Sequence, residues 1–107
     1  MAFKNTWAEI QKIPTKTKLP NWTVFRGCFG EAVTVLELGP KHVTFHSKTA
    51  LNAQRVPIGD FEKVYKLWGA YTKGRLTRTG VVEVTRYSRY IINTFQWLCQ
   101  RHKGVLS

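Results

Sequence analysis

Acidic side chains are scarce in this chain. Six Asp and Glu stand against 17 Lys and Arg in 107 residues, a formal charge of +11 with histidine neutral. Glu9, Glu31, Glu37, Asp60, Glu62 and Glu83 are too few and too scattered to hold the divalent metal of a nuclease site. Cysteine is rarer still. Cys28 and Cys99 lie far apart without the paired spacing of a zinc site, so neither a disulfide framework nor a structural metal is indicated, and a reducing, cytoplasmic setting is expected. No apolar run is long enough to cross a bilayer, and the opening residues lead into an amphipathic segment rather than a signal core, so no membrane role is expected. Asn21, Trp22 and Thr23 have the form of a glycosylation sequon, which means little without a secretory signal. Internal repeats and low-complexity tracts are missing as well.

Catalytic constellations are missing too. His42 and His46 share one face of an expected strand, but no third ligand has an assured position, so no metal is expected. Cys99 falls on the apolar side of an expected helix and reads as packed rather than nucleophilic. The chain is therefore expected to be no enzyme and to carry no cofactor.

What is abundant is apolar and basic. A hydrophobic content of 43%, with 13% aromatic residues, suffices for one compact core, so residues 1–107 are expected to form a single domain. A charge of +11 repels itself unless a polyanion offsets it, and a nucleic-acid backbone is the commonest such partner. Anionic membranes and acidic proteins compete for that role, but the cations are spread along the chain rather than packed into one run.

Residues 1–21 read as a short N-terminal helix followed by a linker. Thr6 and Glu9 have capping-box spacing, Trp7, Ile10 and Ile13 give an apolar edge, and Pro14 stops the segment. Pro14, Pro20 and two lysines make 14–21 an extended linker with little to bury. Residues 22–58 form a β region. A first strand is expected over 22–26, then a break from Gly27 to Gly30, then a hairpin over 31–48 turning at Gly39 and Pro40. In its second strand Val43 and Phe45 alternate with His42, Thr44, His46 and Lys48, the pattern of one buried and one wet face. Pro57 cannot donate to a central ladder, so 55–58 is assigned to an edge strand.

Residues 59–103 read as two helices. Gly59 and Asp60 cap the first, Phe61, Val64, Tyr65, Trp68 and Tyr71 recur at core spacing, Lys63, Lys66 and Lys73 take the opposite face, and Gly74 ends it. Residues 75–84 are too β-branched for a firm helix. Thr85 or Ser88 then caps a last helix running to about His102, with Gly104 beyond. On that helix Tyr87, Ile91, Phe95, Leu98 and Cys99 share one side. Arg86, Arg89, Asn93, Gln96 and Gln100 share the other, with no acid among them. Arg, Asn and Gln carry paired groups that match guanine and adenine edges in the major groove.

The segment from Lys73 to Arg89 is the densest basic feature, with Lys73, Arg75, Arg78, Arg86 and Arg89 opposed by Glu83 alone. A helix, a connector and a second helix with a basic, amide-rich outer face resembles the helix-turn-helix and winged-helix DNA-binding families. The likeness covers 60 to about 102 and is one of pattern. The connector, 74–84, is longer than the usual three or four residues unless 81–84 adds a helical turn or a strand. The resemblance implies base contacts from Arg86, Arg89, Asn93 and Gln96, with Gln100 marginal. Lys66, Lys73, Arg75, Arg78 and the Ser88 hydroxyl would then position the phosphate backbone.

The expected molecule is thus a single α+β domain with a short N-terminal helix, a small antiparallel sheet and two C-terminal helices. Non-enzymatic binding of double-stranded DNA is the function expected of it. Two alternatives are an inhibitor or interaction protein for an acidic protein surface and a small RNA-binding domain. Trp97 and Tyr90 lie near the basic sector of the last helix and are expected at the surface, for stacking or for a homodimer contact. Trp68 is expected in the core.

Overall fold

The structure is a computed structural model that describes residues 3–23, 27–28, 32–47 and 52–101, without the side chains at 23, 27, 28, 78 and 79. Val24, Phe25, Arg26, Glu31, Lys48, His102 and Gly104, and the side chains of Cys28 and Arg78, lie outside the described residues.

The expected hairpin forms the centre of a four-stranded antiparallel sheet. Strands β4 (Val33–Leu38) and β5 (His42–His46) pair around a turn in which the Gly39 N–H donates to the His42 carbonyl at 2.9 Å. Val33, Val35, Val43 and Phe45 point into the core, while Thr34, Thr44 and His46 point out. A bulge at Leu36 interrupts the pairing, and the extra residue leaves Leu36 exposed. Strand β6 (Gln54–Pro57) lies on the far side of β5 as an edge strand, where Pro57 needs no N–H.

The other edge corrects the expected linker. Residues 18 and 19 form β1 (Lys18–Leu19), paired with β4, and Leu19 is fully buried. Lys16 enters this strand in the left-handed region at φ 69°, its N–H donating to the Val35 carbonyl. A strand with one inward side chain has no periodicity to read, which is why it looked like linker. A second, two-stranded sheet pairs β2 (Trp22–Thr23) with β3 (Gly27–Cys28), so Gly27 and Cys28 extend a hairpin where a break was expected.

Helix α1 (Phe3–Ile10) starts before its expected cap. Phe3 packs on Tyr65 and Trp7 on Phe61, with ring centres 5.4 and 5.3 Å apart, so Thr6 is a buried residue inside the helix. Its far side is fixed by the Trp7 indole N–H, which donates to the Pro40 carbonyl at 3.1 Å. Helix α2 (Ile58–Thr72) follows β6 directly. It buries Phe61, Val64, Trp68 and Tyr71, and it ends near Gly74, whose φ of 76° suits glycine. Pro57 precedes it without a side-chain cap, and Asp60, expected to cap, sits in its first turn.

Three helices stand where two were expected. Helix α3 (Arg78–Val82) occupies the connector, and α4 (Ser88–Arg101) follows. Helices α1, α2 and α4 lie on the inner side of the sheet: Phe45 of β5 meets Phe61 of α2 at 6.2 Å and Tyr90 of α4 at 5.3 Å, and Trp7 of α1 packs on the same Phe61. Among the described residues no helix is long and apolar enough to cross a membrane.

Candidate nucleic-acid interface

Helix α4 decides how the expected recognition surface is built. Ile91, Ile92, Asn93, Thr94 and Phe95 are five consecutive residues, each wholly buried. Consecutive side chains point in directions about 100° apart, so such a run leaves that turn no open side. The helix runs through the domain rather than along its surface. Thr94 tolerates burial because its hydroxyl donates to the Tyr90 carbonyl at 2.7 Å, one turn back.

Asn93 therefore cannot contact bases in this fold. Its carboxamide oxygen accepts the Trp22 N–H at 3.1 Å, which ties β2 across the amide-rich side of α4. Ser88, expected at a phosphate, is also buried, with 4% of its surface exposed. These two assignments fail for one reason: the side of α4 that looked solvated is covered by other elements. Arg89 and Gln96 on the same side are half-buried, and Gln100 is exposed near the end of the helix.

Arg86 is exposed as well. It precedes α4, its guanidinium lies 5.0 Å from the Tyr87 ring centre, and it donates to the Tyr87 hydroxyl at 2.8 Å. Thr85 holds this corner. Its hydroxyl accepts the Tyr87 N–H at 3.0 Å and donates to the Asp60 carboxylate at 3.1 Å, anchoring the entry of α4 to the first turn of α2.

The phosphate candidates Lys66, Lys73 and Arg75 are exposed, as expected, and Arg78 lies on α3. On the wheel of α2, Lys66 falls opposite the sector of Phe61, Val64, Trp68 and Tyr71, so it points away from the core and from the sheet behind it. Lys73 and Arg75 flank Gly74 at the C-terminal end, where cations also offset the helix dipole. A 15-residue helix is about 22 Å long; Arg86 follows Thr85, which is bonded to Asp60 in the first turn of α2, while the Lys73–Arg75 pair lies at its far end and Lys66 on the turns between. Among the described residues, none of these four cations has a carboxylate within 4.0 Å, whereas Lys63 on the flank has Asp60 at 3.7 Å.

Trp97 and Tyr90 are each half-buried. Tyr90 stacks on Phe45, and Trp97 carries the Arg101 guanidinium 4.0 Å from its ring centre. Trp68 is buried, as expected. Cys99 is half-buried, and burial pushes its thiol above the ordinary range against the opposing hydrogen bond to Trp68.

The outer sheet face holds cations that were not singled out from the sequence as site residues. Lys18 and Arg55 are exposed there on the two edge strands. Between them His42 meets Glu37 at 2.8 Å, and the Arg55 guanidinium stands 4.0 Å from the same carboxylate. The hydrogen bond from His42 holds the Glu37 carboxyl below the usual carboxylate range, with the charges of His42 and Arg55 adding to it. The His42 ring lies over Gly39, in space a Cβ would occupy. Strict alternation in β5 was the signal for this face.

No protein-family model, no curated protein and no solved structure matches the chain.

Proposed function

We propose that the chain is a non-enzymatic nucleic-acid-binding protein that takes double-stranded DNA by its phosphate backbone along the outer side of α2. What carries this reading is one observation: Lys66, Lys73, Arg75 and Arg86 are exposed near the middle and the two ends of α2, a helix about 22 Å long, and among the described residues no carboxylate lies within pairing distance of them. Glu62 and Glu83 are the exposed acids in the same region, too few to neutralise it. In the helix-turn-helix form of the proposal the entry of α4 approaches the duplex first. Arg86 then leads the base contacts, with Arg89 and Gln96 behind it, and the buried Asn93 takes no part.

Duplex titration at several salt concentrations tests the reading. Four phosphate contacts release about four counterions, so the log–log slope of affinity against salt is expected near about −4. A slope near zero, or no binding at low salt, removes nucleic acid from the account. Preference for single strands would move it to RNA or single-stranded DNA.

A further inference from the structure

We propose that the open face of the four-stranded sheet is a second phosphate-backbone surface, back to back with the basic side of α2, so that one copy of the chain holds two duplex segments at once. The proposal rests on the nucleic-acid reading above.

Strand register supplies the first observation. Lys18, Thr34 and His46 stand side by side across β1, β4 and β5, and Glu37, Thr44 and Arg55 across β4, β5 and β6. The alternation places all six on the outer face, because their strand neighbours Leu19, Val33, Val35, Val43, Phe45 and Val56 fill the core. Three strand spacings separate the edges, so Lys18 and Arg55 are carried about 14 Å apart across the strands. That span is close to the roughly 12 Å of a major groove, enough to reach phosphates on both of its walls. The threonine hydroxyls between them are short hydrogen-bond donors suited to phosphate oxygens.

Charge and placement supply the second. Among the described residues Glu37 is the acid on this face, and His42 and Arg55 already engage it, while Lys16 and Lys41 stand exposed beside the strand ends. Arg55 keeps 69% of its side-chain surface exposed. Helices α1, α2 and α4 all pack on the inner side, so among the described residues no helix covers the outer one. Lys66 points out of the opposite side of the domain, and the core separates the two basic surfaces. A duplex laid on one of them leaves the other facing away.

The test uses the full chain and a bead-bound duplex, and asks whether protein recruits a second, labelled duplex at near-physiological salt. The parent is expected to recruit it. One variant pair strips the sheet face, Lys18→Ala with Arg55→Ala, and another strips the helix side, Lys66→Ala with Arg75→Ala. All four residues are exposed, and thermal melting verifies that each pair is folded. Each pair is expected to keep binding a single duplex with a shallower salt slope, while recruitment of the second falls at least tenfold. The mass of the complex in solution should correspond to one chain with two short duplexes. Recruitment unchanged in the sheet-face pair overturns the proposal, as does a complex of two chains with two duplexes, which would place bridging in chain pairing. Binding of one duplex by the parent without recruitment overturns the second surface and leaves the first. Failure of the parent to bind any duplex at low salt removes the functional reading itself. Loss of affinity for anionic vesicles in the sheet-face pair, with duplex behaviour unchanged, assigns the face to membranes instead.

Discussion

Helices α2 and α4 are nearly equal in length, both carry cations, and each shows an apolar stripe opposite a polar one, yet only α2 keeps its polar stripe exposed along its length. The difference is in what makes the polar stripe. On α2 it is lysine, whose charge is too costly to bury without a partner, so the stripe reports water. On α4 it is built from amides, hydroxyls and arginine. A carboxamide serves a backbone N–H as readily as a solvent molecule, and Asn93 serves Trp22. A polar sector made of lysine can be read as outside; one made of asparagine and glutamine cannot.

The largest effect that tests this contrast lies where the two helices meet. Phe95 is fully buried and touches both Trp68 and Phe61, with ring centres at 5.5 and 6.2 Å. Phe95→Ala is expected to cost about 3–5 kcal/mol in denaturant unfolding. A loss under about 1 kcal/mol would mean that α4 is not held in the core. Asn93→Ala comes next. It leaves the Trp22 N–H without its acceptor and is expected to cost about 1–3 kcal/mol, with the lost stability appearing before any change in affinity per folded molecule. An Asn93→Ala protein that melts like the parent but binds duplex more weakly would restore the exposed recognition helix.

The contrast also explains which parts of the molecule were legible. The β4–β5 hairpin followed from alternation around Gly39 and Pro40, the edge strand from Pro57, and α2 from the spacing of Phe61, Val64, Trp68 and Tyr71. These signals are local and periodic. Strands β1 and β3 span two residues each, too short for any period, and α3 holds Thr79, Gly80, Val81 and Val82, whose weak helix propensity is overridden by burial of Val81. The coverage of α4 was illegible because it depends on where β2 lies, 71 positions away in sequence. Of the candidate residues, Lys66 and Lys73 are exposed as expected, whereas Asn93 and Ser88 are buried.

On the surface the expected effects are smaller and separate binding from folding. Lys66→Ala should change stability by no more than about 0.5 kcal/mol while lowering the salt slope of duplex binding by about one. If Lys66→Ala instead lowers the melting temperature by as much as Asn93→Ala, the charged side of α2 is packed and the contrast between the helices fails.

The smallest effect carries the same logic to the sheet. Glu37 keeps 62% of its side-chain surface exposed, so its pairing with His42 and Arg55 should move its titration without governing the fold. The His42 hydrogen bond lowers its carboxyl, so the ionised form is favoured in the folded chain. The sign follows from linkage: the contribution is present above the carboxyl's unfolded value and is lost as the pH falls through the lowered folded one. Carboxyl carbon shifts followed by NMR should show Glu37 titrating below the ordinary range in the parent and higher in His42→Ala. Thermal melting at neutral pH should barely distinguish the two proteins, since a water-screened pair contributes little. Unfolding in step with the Glu37 titration would show that a charge on this chain can be structural after all. The rule that separates α2 from α4 would then hold for lysine alone and not for carboxylates.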